Sequence, residues 1–389
     1  MLHDVVIVGA GPVGSTLALA LGAGDVEVTL LDARPAGHVA RGDRSLALSH
    51  GARLILERVG VWDALSAIPG ALTPITRIDI SQAGGFGQTQ LSAAEHGIPA
   101  LGYVVSYRAL QAELDAALGR SSVSMRHRVT ATAVRGGAAH ATVETAGEGA
   151  AANVAPIFAR LAAVADGTGD GMTFATRQRH DYGQVALVAK LESAPPHDGT
   201  AFERFTPDGP IALLPERDGY GLVWTAKPAR AQELLALPER EFLAQLALHF
   251  GARSGRFTRV AERRTFPLAM EYVREPAHAR CVALGNAAQT LHPVAGQGFN
   301  LGLRDAWELA SIVLDSPREQ LGDDAMLGRY SRGRRTDRMA GIAFTHGLVR
   351  LFGNDLPLLR WPRGLALTLL DAVPVAKKAF TRAMLFGVR

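Results

Sequence analysis

The sequence predicts an α/β protein of two interleaved domains followed by a helical C-terminal segment. Three observations predict it. The chain opens on an apolar run that breaks into a glycine-rich turn, VVIVGAGPVG; a second glycine-rich stretch, CVALGNAAQTLHPVAGQGFNLGLRDAWELA, occupies 281–310; and between them, over 176–274, the pattern changes to strand-like runs separated by turn signals. A chain of 389 residues suits two domains that each bury a core, and 48% hydrophobic with 20% charged residues describes a folded protein, not extended disorder.

The first segment, DVVIVGAGPVGSTLALALGAGDVEVTLLDAR, reads as strand, tight turn, helix, strand, with Val5 to Val8 as a buried parallel strand and 26–31 as its neighbour. Gly9, Gly11 and Gly14 fit G-x-G-x-x-G at the turn. Without Cβ atoms the backbone can turn sharply and approach a pyrophosphate seated on the helix N-terminus. Asp32, 18 positions beyond Gly14 at the tip of the second strand, is placed to accept hydrogen bonds from a ribose. These features together predict a Rossmann-like dinucleotide site.

Next, RGDRSLALSHGARLILERVGVWDAL reads as an arginine-bearing loop entering an amphipathic helix, and GYVVSYRALQAEL at 102–114 as a strand end and a helix. Arg44 and Arg108 at these junctions are each placed to meet a diphosphate or to form a surface salt bridge. Short alternating strands over 127–165 end at Asp166-Gly167, a carboxylate and a flexible turn at a strand end.

Over 176–274 the runs YGQVALVAKL, GTAFERFTPDGPIALLPE, GYGLVWTAK and RTFPLAMEYV predict an antiparallel sheet, with AQELLALPEREFLAQLALHFG as its one clear helix. The chain then returns to the first domain. RCVALGNAA is a strand ending at Gly285-Asn286, and a helix opens at about Gln297 with Leu303, Ala306, Trp307, Ala310 and Val313 on its apolar face. Its small leading residues offer backbone donors, so one glycine loop suits the adenine half of a dinucleotide and the other its reactive half. The first domain is expected to comprise 1–75, 100–175 and 275–335, the second 76–99 and 176–274, and the C-terminal segment 336–389.

Charge is unevenly spread. From Arg329 onward 12 Lys/Arg stand against three Asp, although the whole chain carries only +4. That tail interleaves Arg350, Arg360, Arg363, Lys377, Lys378 and Arg382 with apolar residues, which suits helices lying on an anionic membrane surface or a helical cap packed on the protein. No run is long enough to cross a bilayer, and a heavily apolar basic tail without a binding module argues against nucleic acid. The lone Cys281 beside VAL reads as a buried thiol, with no cluster of metal ligands around it. Residues 5–24 are uncharged, but MLHD lacks a basic flank and three glycines interrupt the run, so a targeting segment is rejected and a cytoplasmic protein, peripheral to the inner membrane if the tail docks there, is expected.

The early G-x-G-x-x-G, the middle Asp-Gly after a strand and the late loop resemble, over essentially the whole chain, the flavoprotein aromatic hydroxylases of the para-hydroxybenzoate hydroxylase type. Within that group GNAAQTLHPVAGQGFNLGLRD, with Asn286 where most members carry Asp, and AFERFTPDGPIALLP look like the ubiquinone-biosynthesis branch. The resemblance implies a Rossmann-like FAD-binding domain with a discontinuous antiparallel-sheet substrate domain. It implies FAD, NADPH or NADH as reductant and O2 as co-substrate, and hydroxylation of a polyprenyl methoxyphenol through a flavin C4a-hydroperoxide, in the company of other ubiquinone-biosynthesis proteins. Carried over by motif, Gly9, Gly11, Gly14 and Asp32 would hold the ADP part, with Arg44 and Arg108 near it; Asp166 and Gly167 belong to a motif serving both FAD and the nicotinamide cofactor. Gly285 and Asn286 would meet the ribityl chain, and Pro293 with the backbone of Ala295, Gly296, Gln297 and Gly298 would line the isoalloxazine ring. Asp170 and Thr173 stand where members often carry Ser and Arg, which leaves the nicotinamide-side contacts open.

No side chain announces itself as the base that ionises a phenol. His292 in the LHP of the late loop is one candidate, and a packed structural histidine is the other reading. Arg204 and Phe205 in FERF are candidates for the substrate pocket, of which strand alternation lets only one face it. A hydroxylase of another ring position or another aromatic substrate, a reductase or dehydrogenase of the same fold, and a non-catalytic subunit of a membrane biosynthetic complex are the rival readings.

Overall fold

The computed structural model describes residues 1–39, 44–147, 155–251, 253–354 and 356–388. Arg41 of the arginine-bearing loop and the side chain of Arg360 in the tail lie outside the described residues.

Four parallel strands, Cys281–Ala283, Ile157–Val164, Leu2–Val8 and Val28–Asp32, form the centre of the first sheet, with Ser124–His127 beyond the last of them. Val164 pairs with both Val8 and Ala283, and Val8 with Leu31, so the carboxyl ends of these strands lie along one edge. Parallel strands covered on both faces are apolar throughout, which is why Val5, Val6, Ile7, Leu161, Ala162 and Ala163 are all fully buried. Helices Pro12–Gly22 and Gln297–Leu314 pack against this sheet through Leu17, Leu21, Ala306, Leu309 and Val313.

The second sheet has eight strands, running in space as Gln289–Thr290, Arg256–Val273, Arg177–Ala194, Gly219–Ala226, Gly209–Glu216, Thr200–Thr206, Arg77–Gln82 and Gln88–Ser92. It departs from the expected all-antiparallel sheet at one pair, because Thr200–Thr206 lies parallel to Arg77–Gln82. The latter strand enters from the first domain, so no hairpin dictates its direction. The expected single helix of this region is two, Pro228–Ala236 and Glu239–Phe250. Pro238 is the reason: it drives Leu237 into extended backbone (ψ 139°) and has no N–H to continue the helix. Arg263 donates to the exposed carbonyls of Leu234 and Leu237 at 3.3 and 2.7 Å.

A third, three-stranded sheet joins Ser45–Ser49, Gly102–Ser106 and Leu72–Ile75. Its first strand was expected as loop; SLALS alternates, with Leu48 buried and Ala47 turned toward the late glycine loop, where a Cβ on Gly296 would meet Ala47 Cβ at 3.0 Å. The boundary expected after 335 falls inside one long helix, Asp324–Phe352, which no proline interrupts. The tail then forms helices Pro357–Ala372 and Pro374–Phe386. They pack on the protein: Asp371 accepts from Gln90 N–H and Thr89 Oγ1, Lys377 pairs with Glu95 and Asp371, and Phe386 meets His50 edge to face.

Candidate functional site

The aligned strand ends create a cleft of about 510 Å³ floored by Gly9 to Val13, Asp32, Asp166-Gly167, Gly285-Asn286 and Gly298. Ligands of open α/β sheets sit outside the carboxyl ends of the strands, and here the turn after each contributes. Gly9 has φ +98°, and a Cβ on it would lie 2.6 Å from Asp166 Cα; one on Gly14 would lie 1.9 Å from Gly9 O. The two loops therefore touch through backbone, while Gly11 has nothing within 4 Å of its Cβ position and opens to the cleft. No side chain caps the helix that starts at Pro12, leaving its positive end for an anion.

Asp32 is almost buried, and its carboxylate is gripped by Arg34 Nε at 3.1 Å to each oxygen, while Arg34 Nη2 donates to Ala10 O at 2.9 Å. The sequence reading missed Arg34; its place two residues after the strand-end acid is the signal that it shares the ribose-side wall. Arg44 lines the cleft with its guanidinium 4.4 Å over the Tyr107 ring, a cation in the cleft wall. Arg108 is exposed on the following helix and does not line the cleft. Asp166 caps its own turn, accepting from Thr168 N–H at 3.1 Å and Gly169 N–H at 2.7 Å, so Gly167 (φ +85°) presents open backbone. Asn286 is exposed to the cleft with its carbonyl held by Arg177 at 3.2 Å.

Beyond the cleft the late loop runs along the second sheet. Ala295 and Gly296 are both left-handed, with φ +57° and +61°, and Gly296 begins the helix Gln297–Leu314. A non-glycine residue there costs on the order of 1–3 kcal/mol and persists only where its surroundings fix it. Asn300, also missed in the sequence, supplies part of that: its amide donates to Gly296 O at 2.7 Å and Ala47 O at 3.0 Å and accepts Ser49 N–H at 2.8 Å. Pro293 is exposed beside this bend, whereas the Gln297 side chain turns away toward Met384 of the tail at 3.5 Å.

His292 is buried, its Nδ1 accepts Val294 N–H at 3.3 Å, and burial pushes its pKa down to about 4. A neutral ring so weakly basic, committed at one nitrogen to its own turn, fits the structural reading better than the base considered from sequence. Strand alternation separates FERF as expected, and the residue that turns away is Arg204. It donates to Ser81 Oγ at 3.2 Å and lies with Asp79 and Arg253 on the face that carries the helices. Phe205 points the other way, packing with Val294 of the late loop and stacking on Phe352 at 4.1 Å. Its neighbour on the same face is Glu203, not singled out from sequence, which burial raises to about 7 against a smaller lowering from the Ala295 backbone.

The residues fit a bound FAD: a glycine cradle that side chains would fill, an acid and an arginine for the ribose side, a cation for the diphosphate, and uncharged backbone toward the ring end. The family described as FAD binding domain matches residues 3–345. The chain is 33% identical over 388 residues to ubiquinone hydroxylase UbiL of Rhodospirillum rubrum, covering 97% of this chain and 88% of that one. It is 31% identical over 386 residues to 3-demethoxyubiquinol 3-hydroxylase of Escherichia coli, covering 96% of each. Among solved structures, p-nitrophenol 4-monooxygenase PnpA of Pseudomonas putida superposes with a TM-score of 0.77 at 19% identity, covering 100% of this chain and 99% of that one.

Proposed function

The chain belongs to the FAD binding domain family, and from that premise we propose that it is an FAD-dependent monooxygenase that hydroxylates the ring of a polyprenyl methoxyphenol in ubiquinone biosynthesis, drawing electrons from NADPH or NADH and oxygen from O2. The observation that carries this reading is the meeting of both glycine loops, with the strand ends at Asp32 and Asp166, at one cleft. Gly9, Gly11, Gly14, Asp32 and Arg34 would hold the ADP half, Arg44 the diphosphate, Asn286 the ribityl chain, and Pro293 with the 295–298 backbone the ring. FAD, when bound, supplies the redox chemistry that delivers one oxygen atom. The chain's own share is to orient the phenol, exclude water and govern its proton. Quinone lipids from aerobically grown cells lacking the protein test the reading: polyprenyl methoxyphenol should accumulate as ubiquinone disappears, and an unchanged lipid profile overturns it.

The polyprenyl chain and the tail belong together in this reading. Helix Pro357–Ala372 turns Leu358, Trp361, Leu365 and Leu369 outward at helical spacing, 86%, 73%, 52% and 50% exposed, and Val375 continues the stripe. Lys378 and Arg382 are exposed nearby, whereas Arg363 and Lys377, counted with them in the sequence, are taken up by Asn354 and by Glu95 and Asp371. A cavity of about 320 Å³ lies between Phe205, Phe352 and Leu356. Among the described residues no helix is long and apolar enough to cross a membrane, so the contact proposed is with the surface of an anionic bilayer. Trp361→Asp with Leu365→Asp is expected to weaken sedimentation with phosphatidylglycerol vesicles at least roughly tenfold, since each buried apolar side chain is worth about 1.5–3 kcal/mol. Undiminished vesicle binding would assign the stripe to another protein of the pathway instead.

A further inference from the structure

Strand Thr200–Thr206 presents its two faces to different chemistry. Phe202 and Arg204 face the helices, while Glu203 and Phe205 face the late loop. The residues paired beside Glu203 are Ala212 on one side and Ile80 on the other, both without charge. The Glu203 Oε1 is buried with no hydrogen-bond partner. A buried acceptor left unpaired costs on the order of 1–3 kcal/mol, more when charged, a cost that an O–H donor on a bound ligand would offset.

The loop it faces is the one whose left-handed Ala295 bends past the ring position, and Pro293 stands exposed two residues earlier. Other titratable groups gather at this loop through Tyr182, whose hydroxyl lies 3.2 Å from His346 Nδ1 and whose ring meets His292 edge to face. Burial raises Tyr182 and lowers His292 and His346, the last also under the influence of His180 and Arg350, and none of the three acts on Glu203.

We propose that Glu203 receives the ring hydroxyl of the phenol: its unpaired Oε1 accepts the hydroxyl hydrogen bond and then its proton. The inference rests on the aromatic-hydroxylase reading and assigns it a proton acceptor. In the step, the phenol O–H bond breaks, a Glu203 O–H bond forms, and the electron pair left on the phenol oxygen moves into the ring and activates the carbon that is oxygenated. Once the oxygen from O2 is in place, that carbon loses its hydrogen as a proton to solvent, Glu203 returns its proton to the ring oxygen, and the carboxylate is restored. Burial raises Glu203 to about 7 against the lesser, opposing pull of the Ala295 backbone, which matches it to proton exchange at neutral pH.

The test uses FAD-loaded protein and 2-methoxyphenol as the probe, with binding read from the perturbed flavin absorbance between about pH 5.5 and 8.5. The wild type is expected to bind best above its midpoint and to lose affinity roughly tenfold per pH unit below it, as the carboxylate gains a proton. Glu203→Gln keeps the size and shape of the side chain, so it should keep its FAD, bind the probe without pH dependence, and form at least roughly tenfold less hydroxylated product per NADPH oxidised. Glu203→Ala should lose the same pH dependence if the glutamine variant folds poorly. Equal pH profiles in wild type and Glu203→Gln overturn the proposal. A wild type that shows the binding profile but makes no hydroxylated product overturns the hydroxylase reading and leaves the assignment of Glu203 as hydroxyl acceptor standing.

Discussion

Gly14→Val is expected to give a colourless protein whose melting temperature no longer rises when FAD is added. The valine Cβ would stand 1.9 Å from Gly9 O and its branches would press toward Ala165, so the helix Pro12–Gly22 must lift off the strand that carries the first glycine loop. Overpacking of this kind costs about 1–3 kcal/mol, which a domain of this size survives. The cofactor does not survive it, because the helix N-terminus and the Gly9 to Val13 backbone move out of register with Asp32 and Asp166. In the wild type a ligand at about 100 times its Kd adds about 2.7 kcal/mol of stability. Thermal denaturation with and without FAD reads the difference, and a variant that is still yellow and still stabilised would remove the dinucleotide reading of this loop.

Asp305→Ala is expected to cost about 3–5 kcal/mol in a urea titration, the largest effect of any substitution distant from the cleft. Asp305 is fully buried in the helix Gln297–Leu314, accepting from Arg334 Nε at 2.8 Å and Gln289 Nε2 at 2.6 Å. Arg334 in turn pairs with Asp337 at 2.8 Å, which also binds Arg304 at 2.8 Å and the Val388 N–H at 3.0 Å. Removing one carboxylate leaves a buried guanidinium short of charge and loosens both the late loop, through Gln289, and the end of the tail, through Asp337. The same network sets an acid limit. Burial alone would raise Asp337, but Arg304 and Arg334 outweigh it and lower its pKa. A carboxylate lowered in the folded state adds stability that is complete above its unfolded pKa of about 3.9 and is lost as pH falls through the folded value. Unfolding monitored from neutrality downward should therefore show this contribution intact to about pH 5 and disappearing below about pH 4; an Asp337→Asn variant should lack that acid-side dependence.

Local signals were legible wherever one stretch of chain settled its own conformation. The glycine turn at 9–14, the strand-end acid Asp32, the Asp166-Gly167 turn and the helix opening at Gln297 were all readable because period, chain geometry and missing Cβ atoms act within a few residues. The proline that splits the helix at Leu237 was equally local and was outweighed by the apolar period on either side of it. The strand Ser45–Ser49 was hidden for a different reason, since a five-residue run inside a loop is too short for its alternation to count.

The sequence by itself thus determined the α/β class, the two glycine loops, and a basic, apolar tail. Tertiary structure alone decided which side of the strand faces the late loop, turning Glu203 and Phe205 toward it and Arg204 to the helices. It alone closed Arg34 onto Asp32, tied Asn300 to Ala47 and Ser49 some 250 positions away, and spent Arg363 and Lys377 on internal partners while leaving Trp361 in the open. The physical reason is one of range: torsional preference and hydrophobic period are properties of neighbouring residues, but a side chain's partner depends on strand register and helix docking, which bring together residues the chain keeps far apart.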